Sequence, residues 1–274
     1  MILASPGSSW LRIPYPRGVS VLCKSVLRTS VIEFPGHIAD VVFVGGCNFR
    51  CPYCYNRDLV LNPGLLPDLP AELVFEDVKG RRCFVDGIVI TGGEPSLQPE
   101  LDAFLTRARE ANLLTKLDTN GYRPDVLRRC LEKHLVSYIA MDVKTSLPRY
   151  RSVAGLDVDH RLLLESISLI LSSGVEHEFR TTVVPGLVEL SDVEAISREI
   201  RGAQQYYLQA FRPSPTVGWG NEVPVGSPDP ELMQQMARVA SRNVHHVGVR
   251  GLVQGDGTTS REAIRIDSQE ALTS

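Results

Sequence analysis

The sequence predicts an α/β fold, a partial or full (β/α) barrel of about six βα units. Three observations predict it. Short, nearly continuous apolar runs recur along the chain, bounded by turn residues; segments of helical periodicity alternate with them; and the polar residues able to do chemistry follow the apolar runs. Runs of this kind suit strands of a parallel sheet covered on both faces. Strict alternation points away from a sandwich or a bundle. In a (β/α) barrel the functional groups gather at the C-terminal ends of the strands, which is where the polar residues fall here.

The elements read in order as follows. Residues 38–45 (IADVVFVG) form the first buried strand, 87–91 (GIVIT) the second and 115–119 (TKLDT) the third. Residues 136–142 (VSYIAMD), 178–184 (EFRTTVV) and 206–211 (YYLQAF) are the fourth, fifth and sixth, and 244–250 is a final strand. Helical patterns cover 70–79, 97–111, 124–133, 160–172, 191–200 and 228–242. In 97–111, Leu101, Phe104, Leu105 and Ala108 share one face. Pro124 suits a first helical turn, and Ser191 with Glu194 fits a capping box. The reading divides the chain into an N-terminal extension, 1–25, a main α/β domain, 26–251, and a polar C-terminal tail, 252–274, with the extension and tail expected to be of low order. A Pro- and Gly-rich stretch, 212–228, is a long loop.

Bulk properties narrow the function. With 274 residues, 43% hydrophobic and 22% charged, the chain is long enough for one barrel-type domain and is neither fibrous nor disordered. A net charge of -3 argues against nucleic acid as the main partner. No apolar run reaches the roughly 18 residues of a membrane span, and prolines and arginines near the N-terminus interrupt any signal-peptide core. The expected compartment is the cytoplasm, with no membrane and no nucleic-acid partner.

Of six cysteines, Cys23, Cys83 and Cys130 are scattered and read as ordinary thiols. The other three, Cys47, Cys51 and Cys54, lie within eight residues just after the first strand. Clustered cysteines in a large intracellular chain point to metal more than to disulfides. A structural zinc site wants four protein ligands, and neither a fourth ligand nor a second CxxC pair lies nearby. Thiolates are the usual ligands of iron–sulfur clusters, and three of them on a four-iron cube leave one iron open for chemistry.

The other strand ends carry polar groups too. The second runs into Gly92-Gly93-Glu94, where two residues without Cβ permit close backbone approach to a ligand and a carboxylate can accept from an ammonium. The third ends in Asp118-Thr119-Asn120-Gly121, an ordinary turn if taken alone. The fourth ends in Asp142 and Lys144, which alone could be a plain salt bridge. Arg180 lies in the fifth, and Arg212, after the sixth, is equally a site or a surface arginine.

The cysteine spacing CxxxCxxC, with Tyr53 just before the last cysteine, resembles the radical S-adenosylmethionine (SAM) superfamily. The resemblance implies a [4Fe–4S] cluster on Cys47, Cys51 and Cys54, SAM bound to its open iron, Tyr53 beside the adenine, and Gly92, Gly93 and Glu94 on the methionine amino group. The segments VVFVGGCNFRCPYCYN, ITGGEPSLQPEL, KLDTNG, YIAMDVK, FRTTVVPGL and YYLQAFRP, with 28–36 upstream, are similar to activases of glycyl radical enzymes, in particular anaerobic ribonucleoside-triphosphate reductase activating proteins. That similarity implies SAM contacts from Asp118, Thr119, Asn120, Asp142, Lys144 and Arg180, and in some members a monovalent cation on the carboxylates. It also implies flavodoxin or ferredoxin as electron donor, reductive cleavage of SAM to a 5′-deoxyadenosyl radical, and a glycyl radical enzyme as partner. Loops 55–70 and 212–228, with Trp219, would rim the site. No cysteine-rich insert for auxiliary clusters is present. The alternatives are a radical SAM enzyme acting on a small molecule and a non-catalytic iron–sulfur or zinc protein.

Overall fold

A computed structural model describes residues 21, 23–214, 217–218, 226–252 and 264–267. They fall into two compact units interleaved in sequence. One comprises the described residues up to Asn48 with Asp58–Thr119 and Asp125–Tyr138; the other comprises Phe49–Arg57, Asn120–Pro124 and the described residues from Ile139 onward.

The first unit opens with β1 (Cys23–Ser30), antiparallel to β2 (Ala39–Val44). Helices α1 (Arg57–Leu61) and α2 (Ala71–Lys79) lead to β3 (Gly87–Gly92), which lies parallel to β2 with Val42 opposite Ile90. Helix α3 (Leu101–Glu110) then leads to β4 (Leu114–Thr119), parallel to β3 with Ile90 opposite Leu117. Val41, Val42, Val44, Ile88, Val89 and Ile90 are all buried. That is why these strands read as nearly continuous apolar runs, each apolar side chain contributing about 1.5–3 kcal/mol by leaving water. Helix α3 buries the stripe its periodicity announced, α2 buries Val74, Phe75 and Val78, and Phe75 meets Phe104 with ring centres 4.9 Å apart. Helix α4 (Pro124–Glu132) precedes β5 (Tyr138–Asp142).

The second unit takes most of β5 and continues through α5 (Tyr150–Ala154), α6 (His160–Ser172), β6 (Glu176–Val183), α7 (Leu190–Glu199), β7 (Gln205–Ala210), α8 (Pro230–Ala240), β8 (His246–Arg250) and β9 (Ile264–Asp267). Strands β6, β7 and β8 are parallel, with Arg180 opposite Tyr207 and Tyr207 opposite Gly248. The mostly parallel strands and the repeated βα order place the chain in the α/β class, as a partial β/α barrel.

Several sequence expectations shift. Helix α3 starts at Leu101 instead of 97, because Pro95–Leu97 form a separate 3-10 turn and Pro99 keeps Gln98 extended, at ψ 120°. The capping box of α7 uses Glu189 and Asp192, not Ser191 and Glu194: the Glu189 amide donates to the Asp192 carboxylate at 2.8 Å, so the helix begins at Leu190. The polar tail contributes β9, antiparallel to β8. The strand expected over 244–250, β8, begins at His246, two residues later. Residues 1–20 and Trp219 lie outside the described residues.

Candidate functional site

In the first unit the candidate residues sit at the ends of β2, β3 and β4. Strand β2 runs into Gly45, Gly46 and half-buried Cys47. Gly46 adopts φ +84° and its amide donates to the Leu59 carbonyl at 2.8 Å. Strand β3 runs into Gly92, at φ +112°, and Gly93. A Cβ on Gly92 would lie 2.6 Å from the Val44 amide nitrogen, and one on Gly93 would overlap the Gly46 carbonyl. The glycine pair is thus dictated by the approach of the 92–94 backbone to the 44–46 backbone, an approach fixed by bonds from the Gly93 amide to the Val44 carbonyl (2.9 Å) and from the Glu94 amide to the Gly46 carbonyl (2.8 Å). The spacing suggested approach to a ligand; the structure supplies this nearer cause.

Glu94 is 1% exposed. Its Oε1 accepts from the Ser96 amide at 3.0 Å and from the Thr119 hydroxyl at 2.7 Å, so β3 and β4 fix one carboxylate. On β4, Lys116 and Asp118 fall two residues apart and so on one face of the strand. Both are buried, and the Lys116 ammonium donates to Asp118 Oδ1 at 2.8 Å. Sequence reasoning assigned Lys116 nothing; the signal available was a lysine at i and an aspartate at i+2 in a strand otherwise buried.

In the second unit, Cys51 is buried and Cys54 half-buried, and the Cys54 amide donates to the Cys51 carbonyl at 3.1 Å. The Arg50 amide is tied to the Ala154 carbonyl at 2.7 Å, and Phe49 packs against Tyr122 and Tyr150. Burial pushes the Cys51 thiol up to about 11, with Lys144 opposing, and burial also raises Cys54. Tyr53 lies edge-on to Phe211, and its buried hydroxyl has no hydrogen-bond partner among the described residues. Asn120 is buried and accepts from the Tyr122 amide at 3.0 Å, with Gly121 at φ +73° completing the turn.

A line of charge crosses β5, β6 and β8 in the same unit. Asp142 takes the Lys144 ammonium on Oδ2 at 2.9 Å and the Arg180 guanidinium on Oδ1 at 2.7 Å. Burial alone would raise this carboxyl; Arg180 and Lys144 outweigh it and hold it well below the ordinary carboxylate range. Glu178, 2% exposed and two residues before Arg180, accepts from Arg250 at 3.1 Å, and the Arg250 guanidinium covers the Tyr207 ring. Glu178 and Arg250 escaped sequence reasoning because no motif contains them, and Tyr207, inside the segment YYLQAFRP, was given no role. Arg212 is a structural tie: it donates to the Gly251 carbonyl at 3.1 Å, and its amide donates to the Tyr55 hydroxyl at 2.8 Å. Of the scattered cysteines, Cys23 and Cys130 are buried, and burial pushes each thiol up to about 12, while Cys83 is exposed.

The donor set suits an iron–sulfur cluster and SAM. Three thiols outside any disulfide lie within eight residues, and the orphaned Tyr53 hydroxyl is a polar atom a bound ligand could satisfy. No group of three or more His, Cys, Asp or Glu side chains among the described residues could hold a single metal ion. A four-iron cube is a larger object and spreads its thiolates more widely.

A strand-end cysteine triplet on a partial β/α barrel defines an enzyme class, and comparison with known proteins assigns it: a model of the radical SAM superfamily matches residues 41–200, and the chain belongs to that superfamily. Its cofactors are accordingly SAM and a [4Fe–4S] cluster. A Methanocaldococcus jannaschii protein, provisionally named a glycyl-radical enzyme activating enzyme, is 29% identical over 85% of this chain and 97% of its own length. The pyruvate formate-lyase 1-activating enzyme of Escherichia coli K12 is 27% identical over 76% of this chain and 89% of its own. Among solved structures, Streptococcus suis SuiB shares the fold at TM-score 0.58 and 12% identity over 76% of this chain. This chain spans about half, 47%, of SuiB. A TYW1 structure with a lysine-pyruvate adduct bound aligns at TM-score 0.53 and 16% identity, over 84% of this chain and 80% of that one. No helix among the described residues is long and apolar enough to cross a membrane.

Proposed function

We propose that this radical SAM enzyme is an activase that installs a glycyl radical on a partner enzyme in the cytoplasm, with anaerobic ribonucleoside-triphosphate reductase the first candidate and flavodoxin or ferredoxin the electron donor. The observation that carries the reading is the likeness over 85% of the chain to a relative named for activating glycyl-radical enzymes. Residues 26–251 form the catalytic domain in this reading.

Cys47, Cys51 and Cys54 hold the cluster, and Gly92, Gly93, Glu94, Asp118, Thr119, Asn120, Asp142, Lys144, Arg180 and Tyr53 hold SAM. When bound, the pair supplies one-electron cleavage of SAM to methionine and a 5′-deoxyadenosyl radical able to take a hydrogen atom from a glycine Cα. The chain's own residues position and shield. Glu94, fixed by Ser96 and Thr119, offers a carboxylate to an ammonium without needing to reorganise. Asp142, clamped by Lys144 and Arg180, keeps its charge and place.

The test is to mix reduced, reconstituted enzyme and SAM anaerobically with the candidate reductase and record its electron paramagnetic resonance spectrum. A doublet from a carbon-centred glycyl radical, lost with Cys51→Ala, is expected. SAM-dependent turnover of a small molecule, with no radical on any partner, would overturn the reading.

A further inference from the structure

The resemblance to glycyl radical activases brings with it a monovalent cation on the carboxylates of Asp118 and Asp142, and the side chains here do not fit that ion. Asp118 already receives an ammonium: Lys116 Nζ lies 2.8 Å from Oδ1. The Lys116 side chain is 1% exposed and that of Asp118 8%, and the ammonium also lies 5.8 Å from the centre of the Tyr138 ring. An alkali ion sharing Asp118 would meet a fixed positive charge with little water between to screen it. Asp142 is no freer, since Lys144 takes one oxygen and Arg180 the other.

The two arrangements repeat one device, a basic residue two positions from an aspartate near a strand end: Lys116 with Asp118, and Asp142 with Lys144. A buried carboxylate needs a counter-charge. SAM brings a carboxylate of its own, so a site lined with aspartates must be neutralised before it can accept one.

We propose that this chain dispenses with the alkali ion, and that the buried Lys116 ammonium is a built-in cation that neutralises Asp118, as Lys144 and Arg180 neutralise Asp142, so that SAM binds without sodium or potassium. The inference rests on the SAM-site reading above and is independent of the partner's identity.

The test measures SAM affinity of the full, reconstituted chain by calorimetry in potassium, sodium and choline chloride at equal ionic strength, with iron content checked throughout. Wild-type affinity is expected to agree within about twofold across the three salts. Lys116→Met, which takes the ammonium away from the buried Asp118 carboxylate, is expected to bind SAM roughly tenfold more weakly in choline and to regain affinity in potassium. Lys116→Arg keeps the charge and should stay indifferent to the salt.

Wild-type binding that collapses in choline and returns with potassium would overturn the inference alone. So would a Lys116→Met chain that holds iron yet loses affinity equally in every salt, since the lysine would then not be acting as a cation. Absence of SAM binding in any salt would sink the site reading and this inference with it, whereas failure to activate a partner touches neither. If Lys116→Met does not hold iron, the wild-type and Lys116→Arg comparisons across the three salts decide the matter.

Discussion

Thr119 donates its hydroxyl proton to Glu94 at 2.7 Å, so the last residue of β4 sets the orientation of the carboxylate that follows β3. The bond is buried and made to a charged group, the kind whose loss costs most. Thr119→Val should fold and hold iron yet bind SAM roughly tenfold more weakly, a loss of about 1.4 kcal/mol. Glu94→Ala should lose more, and Thr119→Ser should retain most of the affinity. Calorimetry on reconstituted protein checks this, and unchanged affinity in both Thr119→Val and Glu94→Ala would count against the role given to Glu94.

The six cysteines separate by environment. Reconstitution should load about four irons per chain, as one [4Fe–4S] cluster requires. Cys47→Ala, Cys51→Ala and Cys54→Ala should each lose most of that iron. Cys23→Ala and Cys130→Ala should keep it, because those thiols are buried and held protonated. Iron and sulfide analysis decides, and equal loss in the second group would refute the assignment.

Asp142 links the charge cluster to pH. Its folded-state pKa is depressed, so its contribution to stability is present in full above the ordinary carboxylate pKa of about 3.9 and drains away as pH falls through the folded-state value. Asp142→Asn leaves Lys144 and Arg180 without their shared anion. Discounted for partial exposure, the cost should be about 1–3 kcal/mol near neutrality. The gap in melting temperature between wild type and Asp142→Asn should narrow as pH drops below about 4. A gap that stays constant from neutral to acid pH would show that the charge is not the cause.

Gly93 tolerates no side chain, since a Cβ would overlap the Gly46 carbonyl. Gly93→Ala must push 92–94 away from 44–46, at a cost of about 1–3 kcal/mol. For a chain of this size that predicts a melting temperature lower by roughly 2–12 °C. Gly64→Ala, where a new Cβ meets nothing within 4 Å, is the control. Differential scanning calorimetry of the two variants separates steric conflict from a general effect of replacing glycine.

What could be read from the sequence, and what could not, follows from how local each cause is. Helix α6 matched its expected span, His160–Ser172, because its apolar stripe is complete and Asp159 caps it, accepting from the Arg161 amide. Strands β2 and β3 were plain because burial on both faces leaves apolar cores, 41–44 and 88–90, with Asp40 confined to the start of β2. Strand β1 was not among the expected strands: several of its residues are half or fully exposed, which blurs the alternation. Helices α1 and α5, of five residues each, are too short for periodicity to register. Strand β9 is held by pairing with β8, a partner the local sequence does not reveal. In the site, motifs named Glu94, Asp118 and Asp142, but the reasons for their placement were hidden. Lys116, Glu178 and Arg250 act through positions distant in sequence or through a strand's unmarked face, and Gly93 answers to a carbonyl 47 residues earlier, at Gly46.

The amide bonds around Gly46 also bear on the order of events over time. Gly46 donates to Leu59 and accepts from Glu94, so the residue just before Cys47 is stitched to two other segments at once. If the backbone beside Cys47 must open to receive iron, both stitches break in the same excursion. In hydrogen–deuterium exchange the amides of Gly46 and Glu94 should then exchange at a common rate before metal is loaded and slow together afterwards, making that pair of amides a clock for the opening of the loop.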